Sequence, residues 1–575
     1  MGEGLEGPRE FTLHSLRGPK KIAVIGVGPR GLSALERLIS QAEANAFEGE
    51  VLLIEPGVLG VGVHERSQPD YLLLNTVASQ ITIFSDEKMV PGAPVTLGPG
   101  FVEWCREKDV RVADGWGPGR GRSVGGDDFL PRRIYGEYLA WAAEELLRRV
   151  PFNLQVTVVE ATAICVRPLG GAAEVGLDDG SVRLVDLAIV TTGHGLTSYG
   201  RGGTHDEGWI KRPYPLPDSL SGIESGQRVA LLGSGLTAID LIASLTVGRG
   251  GAFHLDGSDL RYAPSGGEPE VVLINRSGWL PCARPASPRT YPASRPTIAE
   301  GIERARRGRP DGLLNLTEDL EPLIWAEVFR GVENDWEVAA LKRAFALRDP
   351  PTEDEAHFHA AVVEQARLDI QQARLGLGES RLKDRMETLR DQREALRAAV
   401  DPPGMNPKDH RAFFDGLPAL ANRTAVGPQR ERLEELIQLI DQGIVRLGPG
   451  PNPVARRREG KWELLSTSLL DEARIEVDVI VNAHLDFPER DPAIDPLGDA
   501  LRQWVAPHLA NPKFLSLDRR GYPLTRNGKI CETVAVFGPP AEGANYYNNY
   551  ILWPGVWSRL LTDLDNVLRP LLRAS

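Results

Sequence analysis

The chain has 575 residues, too many for one hydrophobic core, which implies about three domains of ~100 to 200 residues, or two with a large insertion. Hydrophobic residues make up 42% and charged residues 25%, a globular balance that excludes a disordered or fibrous chain. The net charge of −13, without a basic stripe, argues against nucleic acid or an anionic membrane as partner and leaves small molecules.

The first twenty residues lack the basic start and apolar stretch of a signal peptide, and no later run approaches the ~20 apolar residues of a spanning helix. A cytoplasmic protein is expected. Residues 20 to 55 then read strand, glycine turn, helix, strand, with Lys21–Ile25 and Val51–Ile54 apolar and Leu32–Leu38 helical. A glycine-rich loop spans Gly115 to Asp128, and apolar residues recur at helical spacing from Ile134 to Val150. Residues 154 to 193 suggest a β-meander ending in the apolar run Asp186–Val190. A second strand, turn and helix begins at Arg228–Leu232, continues through Thr237–Leu245 and reaches the strand Val271–Ile274 after a glycine-rich loop from Gly248 to Gly267. From about Thr297 to Leu420 charged helices take over, with Leu382, Met386, Leu389 and Leu396 at helical spacing. A helix at Glu431–Ile440, a buried strand at Glu476–Val481 and a closing helix over Leu552–Leu572 complete the chain.

Two glycine turns carry the chemistry. Gly26, Gly28 and Gly31, with Val27, Pro29 and Arg30 between them, fit GxGxxG. In that pattern the first glycine permits a tight turn, the second admits a pyrophosphate to the backbone, and the third lets helix pack on strand. The pattern alone is weak in a chain with 61 glycines, but it follows an apolar strand and opens a helix whose N-terminus attracts anions. Glu55 ends the next strand, where a carboxylate can accept from the two ribose hydroxyls of an adenosine. Gly233, Ser234, Gly235, Leu236, Thr237 and Ala238 repeat the arrangement with alanine in the third glycine position. The following strand ends in Asn275, Arg276 and Ser277, where an NAD site would carry an acid. Arg276 there suits the 2′-phosphate of NADPH, although a merely solvated strand end is the alternative.

With these residues the chain resembles the two-dinucleotide flavoproteins, in the FAD/NAD(P)-binding group that borders the N-hydroxylating monooxygenases. The resemblance rests on Gly26–Leu38 with Glu55, Leu74–Thr76, Leu130–Arg133 with Tyr135–Leu139, and the second glycine motif. Asp186–Gly193 is similar to the strand and turn that return to FAD, and Asp478–Ala483 to its second copy, with His484 where glycine is the family's residue. Val534–Gly538, Glu542, Gly543 and Asn545–Asn549 are similar to the segment beside the isoalloxazine ring.

The resemblance implies an α/β fold with two Rossmann-like domains. It divides the chain into a discontinuous FAD domain at 20–200 and 466–575, an NAD(P)H domain at 205–296 and 425–465, and a helical insertion at 297–424. FAD and NADPH are the implied cofactors. Around FAD it places Gly26, Gly28, Pro29, Arg30, Gly31, Glu55, Thr192, Gly193, Gly538 and Gly543. Asn75 and Thr76 would sit near the flavin or nicotinamide, or else cap a turn, and Arg132 would reach a phosphate. Gly233 to Ala238, Arg276 and Ser277 fall to the nicotinamide cofactor.

Cys105, Cys165, Cys282 and Cys531 form no CxxC pair, which argues against a zinc knuckle and a disulfide-reductase dithiol; buried thiols are expected. His357 and His359 stand two apart, on different faces of a helix, so no metal site is expected. Asp127 and Asp128 precede a helix and serve its dipole. The activity implied is an NADPH-consuming monooxygenase in which reduced FAD and molecular oxygen form a C4a-hydroperoxide that hydroxylates a small molecule, such as the nitrogen of an amino acid or amine. A flavoprotein oxidoreductase or dehydrogenase without oxygen insertion, and a non-catalytic flavin sensor or scaffold, are the alternatives. The catalytic residues are not legible at this stage.

Overall fold

A computed structural model describes residues 19–45, 47–113, 115–116, 121–193, 205–206, 208–286, 289, 292–293, 295–346, 354–484, 495–548 and 551–572. Two parallel sheets organise it. The first has five strands in the order Val534–Val536, Leu187–Val190, Lys20–Ile25, Gly49–Ile54 and Leu154–Val159, every neighbouring pair parallel. Cover on both faces lets such strands be apolar throughout: Ile22 and Val24 face a helical layer, Ala23 faces an antiparallel meander, and all three are fully buried. The helix Pro29–Asn45 follows the first strand, and helices Arg132–Arg148 and Arg559–Leu572 pack on it. Three antiparallel strands, Ala163–Leu169, Ala172–Leu177 and Val182–Val185, form the meander that leads to Leu187.

The second sheet has six strands, in the order His205–Asp206, Trp209–Ile210, Val479–Asn482, Arg228–Leu232, Glu270–Ile274 and Val445–Leu447, parallel except at its first pair. The return to the first sheet, placed at residue 466 from sequence, therefore comes after Asn482, because Val479–Asn482 pairs with Arg228–Leu232. The glycine-rich stretch from Gly248 to Gly267 contains a hairpin, Ala252–Asp256 against Asp259–Ala263. The closing helix starts only at Arg559. Before it, the chain turns at Pro554–Gly555, where the Gly555 N–H donates to Asp86 Oδ2 at 2.7 Å.

Helices dominate the described residues between 296 and 424, but they serve two cores. Leu382, Met386, Leu389 and Leu396 are buried together, on three short helices, Arg381–Met386, Thr388–Asp391 and Arg393–Val400. The long helix Glu355–Glu379 instead turns Phe358, Val362, Ala366 and Ile370 into the core of the second sheet. Among the described residues no helix is long and apolar enough to cross a membrane.

Candidate functional site

Each glycine of the first motif has a different reason to be glycine. Gly26 adopts φ +81°, and a Cβ on it would lie 2.7 Å from the Thr192 backbone. At Gly31 a Cβ would meet the Gly26 carbonyl oxygen at 2.5 Å, so the helix packs on the turn only without a side chain. Gly28 differs, since its nearest neighbour would be Gly62 Cα at 3.6 Å. The fold does not need glycine there; the bare backbone leaves room for a ligand at the helix N-terminus. Pro29 starts the helix, where a missing N–H costs nothing.

The flanking groups close around this turn. Thr191 Oγ1 donates to the Gly26 carbonyl at 2.6 Å, and Gly193 follows at φ +72°. Glu55 Oε2 accepts the Val27 N–H at 2.7 Å, and burial pushes its carboxyl above the ordinary range. A carboxylate held this way keeps lone pairs for two ribose hydroxyls. Arg30 leans across Gly538 and donates to the Asn548 carbonyl at 2.7 Å, tying the motif to the C-terminal segment. Open backbone at Gly28, the helix N-terminus and Glu55 fit an adenine dinucleotide.

The second motif repeats this logic at the second sheet. Gly233 has φ +130°, and a Cβ would meet the Ala483 carbonyl oxygen at 2.7 Å, the counterpart of Gly26 against Thr192. Gly235 has open space around it, and Ala238 is buried in the core beneath. Leu236 and Thr237 open the helix Leu236–Leu245. Asn275 Nδ2 bonds Ser234 Oγ at 2.5 Å and the Trp279 carbonyl at 2.8 Å, which shapes the turn that carries Arg276 and Ser277. Arg276 is exposed and makes no ion pair among the described residues. His484 offers Nδ1 to the Leu232 carbonyl at 2.8 Å, so its imidazole buttresses the strand end that precedes the glycines.

Asn75 and Thr76 lie half-buried on the loop after Leu74, whose N–H donates to the Leu130 carbonyl at 2.9 Å. Arg132 is paired with Asp240 on the second unit's helix, Nη2 to Oδ2 at 2.6 Å. Arg133 pairs with Asp70 and Glu137. His357 pairs with Asp354 while His359 contacts the Gly448 carbonyl, so the two imidazoles have separate partners. Gly543 has φ +92° and packs against Phe514, a structural turn; Asn549 lies outside the described residues.

Sequence reasoning missed what the helical insertion contributes. Arg397, 2% exposed, donates Nε to the Tyr546 carbonyl at 3.1 Å and Nη2 to that of Tyr547 at 2.8 Å. From the other side, the Glu542 carboxylate accepts the N–H groups of Tyr547 and Asn548 at 3.2 Å each, and burial raises its pKa. His410 Nε2 lies 2.8 Å from the Gly543 carbonyl. Arg30, Arg397, Gly538, Asn545, Asn548 and Arg559 thus line one narrow cleft. Nearby, Gln80 Nε2 donates to the Arg289 carbonyl and its Oε1 accepts from Arg390, both at 2.8 Å. The guanidiniums of Arg390 and Arg393 sit over the Trp553 ring at 5.9 and 5.6 Å. No motif marks Arg390, Arg393 and Arg397; they are arginines in charged helices, indistinguishable by pattern from a solvated face.

A family model described as FAD-NAD(P)-binding matches residues 23–195. The chain is 29% identical to the nitrosuccinic acid synthase of Aspergillus oryzae, covering 96% of this chain and 93% of that protein. It is also 29% identical to the nitrosuccinate-forming L-aspartate N-monooxygenase of Streptomyces cremeus, over 95% and 94% of the two chains. Among solved structures, the ornithine N-hydroxylase of Kutzneria sp. 744 aligns over 97% of this chain and 100% of its own, with 14% identity and a TM-score of 0.46.

Proposed function

We propose that the chain is a two-dinucleotide flavoprotein of the FAD/NAD(P)-binding kind and works as an NADPH-dependent N-monooxygenase on an amino acid with a second carboxylate, L-aspartate first among them. The observation that carries the reading is the pair of glycine turns, each following an interior strand of its own parallel sheet, with Glu55 at one and the exposed Arg276 at the other. When bound, FAD supplies acceptance of a hydride from NADPH and delivery of one oxygen atom of O₂ to the substrate nitrogen.

The chain's residues bind, orient and shield. Gly28 and the N-terminus of Pro29–Asn45 receive the FAD pyrophosphate, and Glu55 accepts from its ribose. Arg276 meets the 2′-phosphate of NADPH. The Arg397 bonds to the Tyr546 and Tyr547 carbonyls hold the C-terminal segment over Arg30, closing that side against water. Arg390 and Arg393, set over Trp553 and each 3.6 Å from a carboxylate of its own helix region, Glu387 and Glu394, would meet an amino dicarboxylate by exchanging those partners, and planar guanidiniums suit carboxylates. A cytoplasmic setting, where NADPH is at hand, fits this reading.

The test is NADPH oxidation under oxygen with L-aspartate, L-glutamate, L-ornithine and L-lysine, with N-oxidised products read by mass spectrometry. Aspartate should give the highest kcat/KM with product matching the NADPH consumed. Coupled turnover on ornithine or lysine, with none on aspartate, overturns the substrate; NADPH oxidation without any N-oxidised product overturns the reaction.

A further inference from the structure

The two glycine turns belong to separate sheets with separate cores, yet hydride transfer needs donor and acceptor atoms about 3–3.5 Å apart. Something must fix one unit against the other. The helix Leu236–Leu245 has one ionisable residue, Asp240, in an otherwise apolar sequence and only 5% exposed. An isolated carboxylate in such a place is costly, and an aliphatic side chain would serve the second core as well. Asp240 is occupied from outside its own helix. Arg132 Nη2 reaches Oδ2 at 2.6 Å, and the Tyr214 hydroxyl donates to the same oxygen at 2.6 Å.

Arg132 is itself anchored on the first unit. Its backbone N–H donates to the Leu72 carbonyl at 2.8 Å and its Nε to the Leu73 carbonyl at 3.1 Å. These residues are the seam. Leu72 is buried in the second core and Leu74 in the first, and Asn75 and Thr76 follow directly. Apolar contact at such a seam tolerates sliding, whereas a directional ion pair selects one register.

We propose that Arg132 is a positioning residue whose ion pair with Asp240 locks the helix opening the second dinucleotide site onto the Leu72–Thr76 loop, and so sets the nicotinamide against the flavin. The proposal rests on the reading that NADPH reduces FAD. The seam has other ties, Arg432 to the Tyr71 carbonyl at 2.8 Å and Gln429 to that of Leu74, so breaking one pair shifts the register without separating the units.

The experiment compares FAD-loaded wild type with Arg132→Met, Asp240→Asn, the double variant and Arg132→Lys. Anaerobic stopped-flow reads flavin reduction by NADPH, calorimetry reads NADP⁺ binding, and hydrogen exchange reads residues 72–76 and 236–245. Both single variants should keep FAD content and NADP⁺ affinity within twofold while reduction slows tenfold or more. The double variant should be no slower than the worse single, the mark of one shared interaction. Exchange at both segments should rise, and Arg132→Lys should restore part of the rate. Unchanged reduction in both singles, additive losses in the double, or FAD or NADP⁺ binding falling in step with rate overturns the proposal. If Arg132→Met does not fold, Asp240→Asn, which keeps size and shape, decides alone. A wild-type flavin that NADPH leaves oxidised sinks the parent reading, and exchange then judges the lock separately, with unchanged protection overturning it.

Discussion

Gly28 and Gly31 stand three residues apart, in one turn, and should fail differently. Alanine at Gly31 drives a methyl into the Gly26 carbonyl, an overpacking worth about 1–3 kcal/mol, so both the apoprotein melting temperature and FAD retention should fall. Alanine at Gly28 enters space the protein leaves open, so the apoprotein should melt as wild type does while the purified protein loses its flavin absorbance. Equal losses in both properties for both variants would contradict the assignment of Gly28 to the ligand. At the other site, the proposed contact of Arg276 with a 2′-phosphate is worth about 1.5–3 kcal/mol, so Arg276→Ala should raise KM for NADPH roughly 10- to 100-fold and leave KM for NADH nearly unchanged. The placement of the glycines, Glu55 and Arg276 at strand ends was legible because each closely follows its strand in sequence. The partner of Arg132 was not: a lone arginine at a helix start does not disclose the carboxylate 108 positions away at Asp240 that the fold brings to it.

At the scale of elements, the helix Pro407–Thr424 meets the 505–516 segment through two imidazoles. His410 and His508 stack with centroids 4.5 Å apart, and His410 holds the Gly543 carbonyl. Burial, and then the neighbouring imidazole, hold His508 down at about 4, and burial also depresses His410. A folded-state pKa below the unfolded one means that the unfolded chain binds the proton first. Stability is therefore full above about 6.5 and drains as pH falls toward 4, by about 1.4 kcal/mol per pH unit for one such group. Calorimetric melting should drop between pH 7 and 5, and His508→Gln should flatten that slope. On the same interface Arg397→Met strands two buried carbonyls, a loss of about 2–6 kcal/mol in chemical denaturation at ~1–3 kcal/mol each. The helices here were visible from leucine spacing. Which core each one serves was not, because an apolar stripe states that a face is buried and says nothing of against what.

The whole molecule alternates between its two sheets, and this decides what can be removed. Tyr546, from the flavin-side segment, is buried in the same core as Leu382, Leu396 and Phe413 of the insertion. Excision of residues 297–424 should therefore yield insoluble or flavin-free protein, whereas a freely appended domain would leave a soluble holoprotein; size-exclusion and flavin absorbance distinguish the two. The order of the two dinucleotide units could be read along the chain because each is a local strand, turn and helix. The owner of Val479–Asn482 could not, since either parallel sheet accepts a short apolar strand and the pairing with Arg228–Leu232 spans some 250 residues.

The outermost strand of the first sheet, Val534–Val536, lies more than 300 residues beyond its neighbour Leu187–Val190, and Asp565 accepts from Gln41 at 2.8 Å on the helix of the first glycine motif. During synthesis at ~5–20 residues per second, the N-terminal half waits tens of seconds with an apolar strand edge unpaired. Flavin capture is then a late event in biogenesis. Ribosome-stalled chains ending near residue 500 should hold no FAD and should recruit chaperones, while chains released past residue 572 should take up the cofactor.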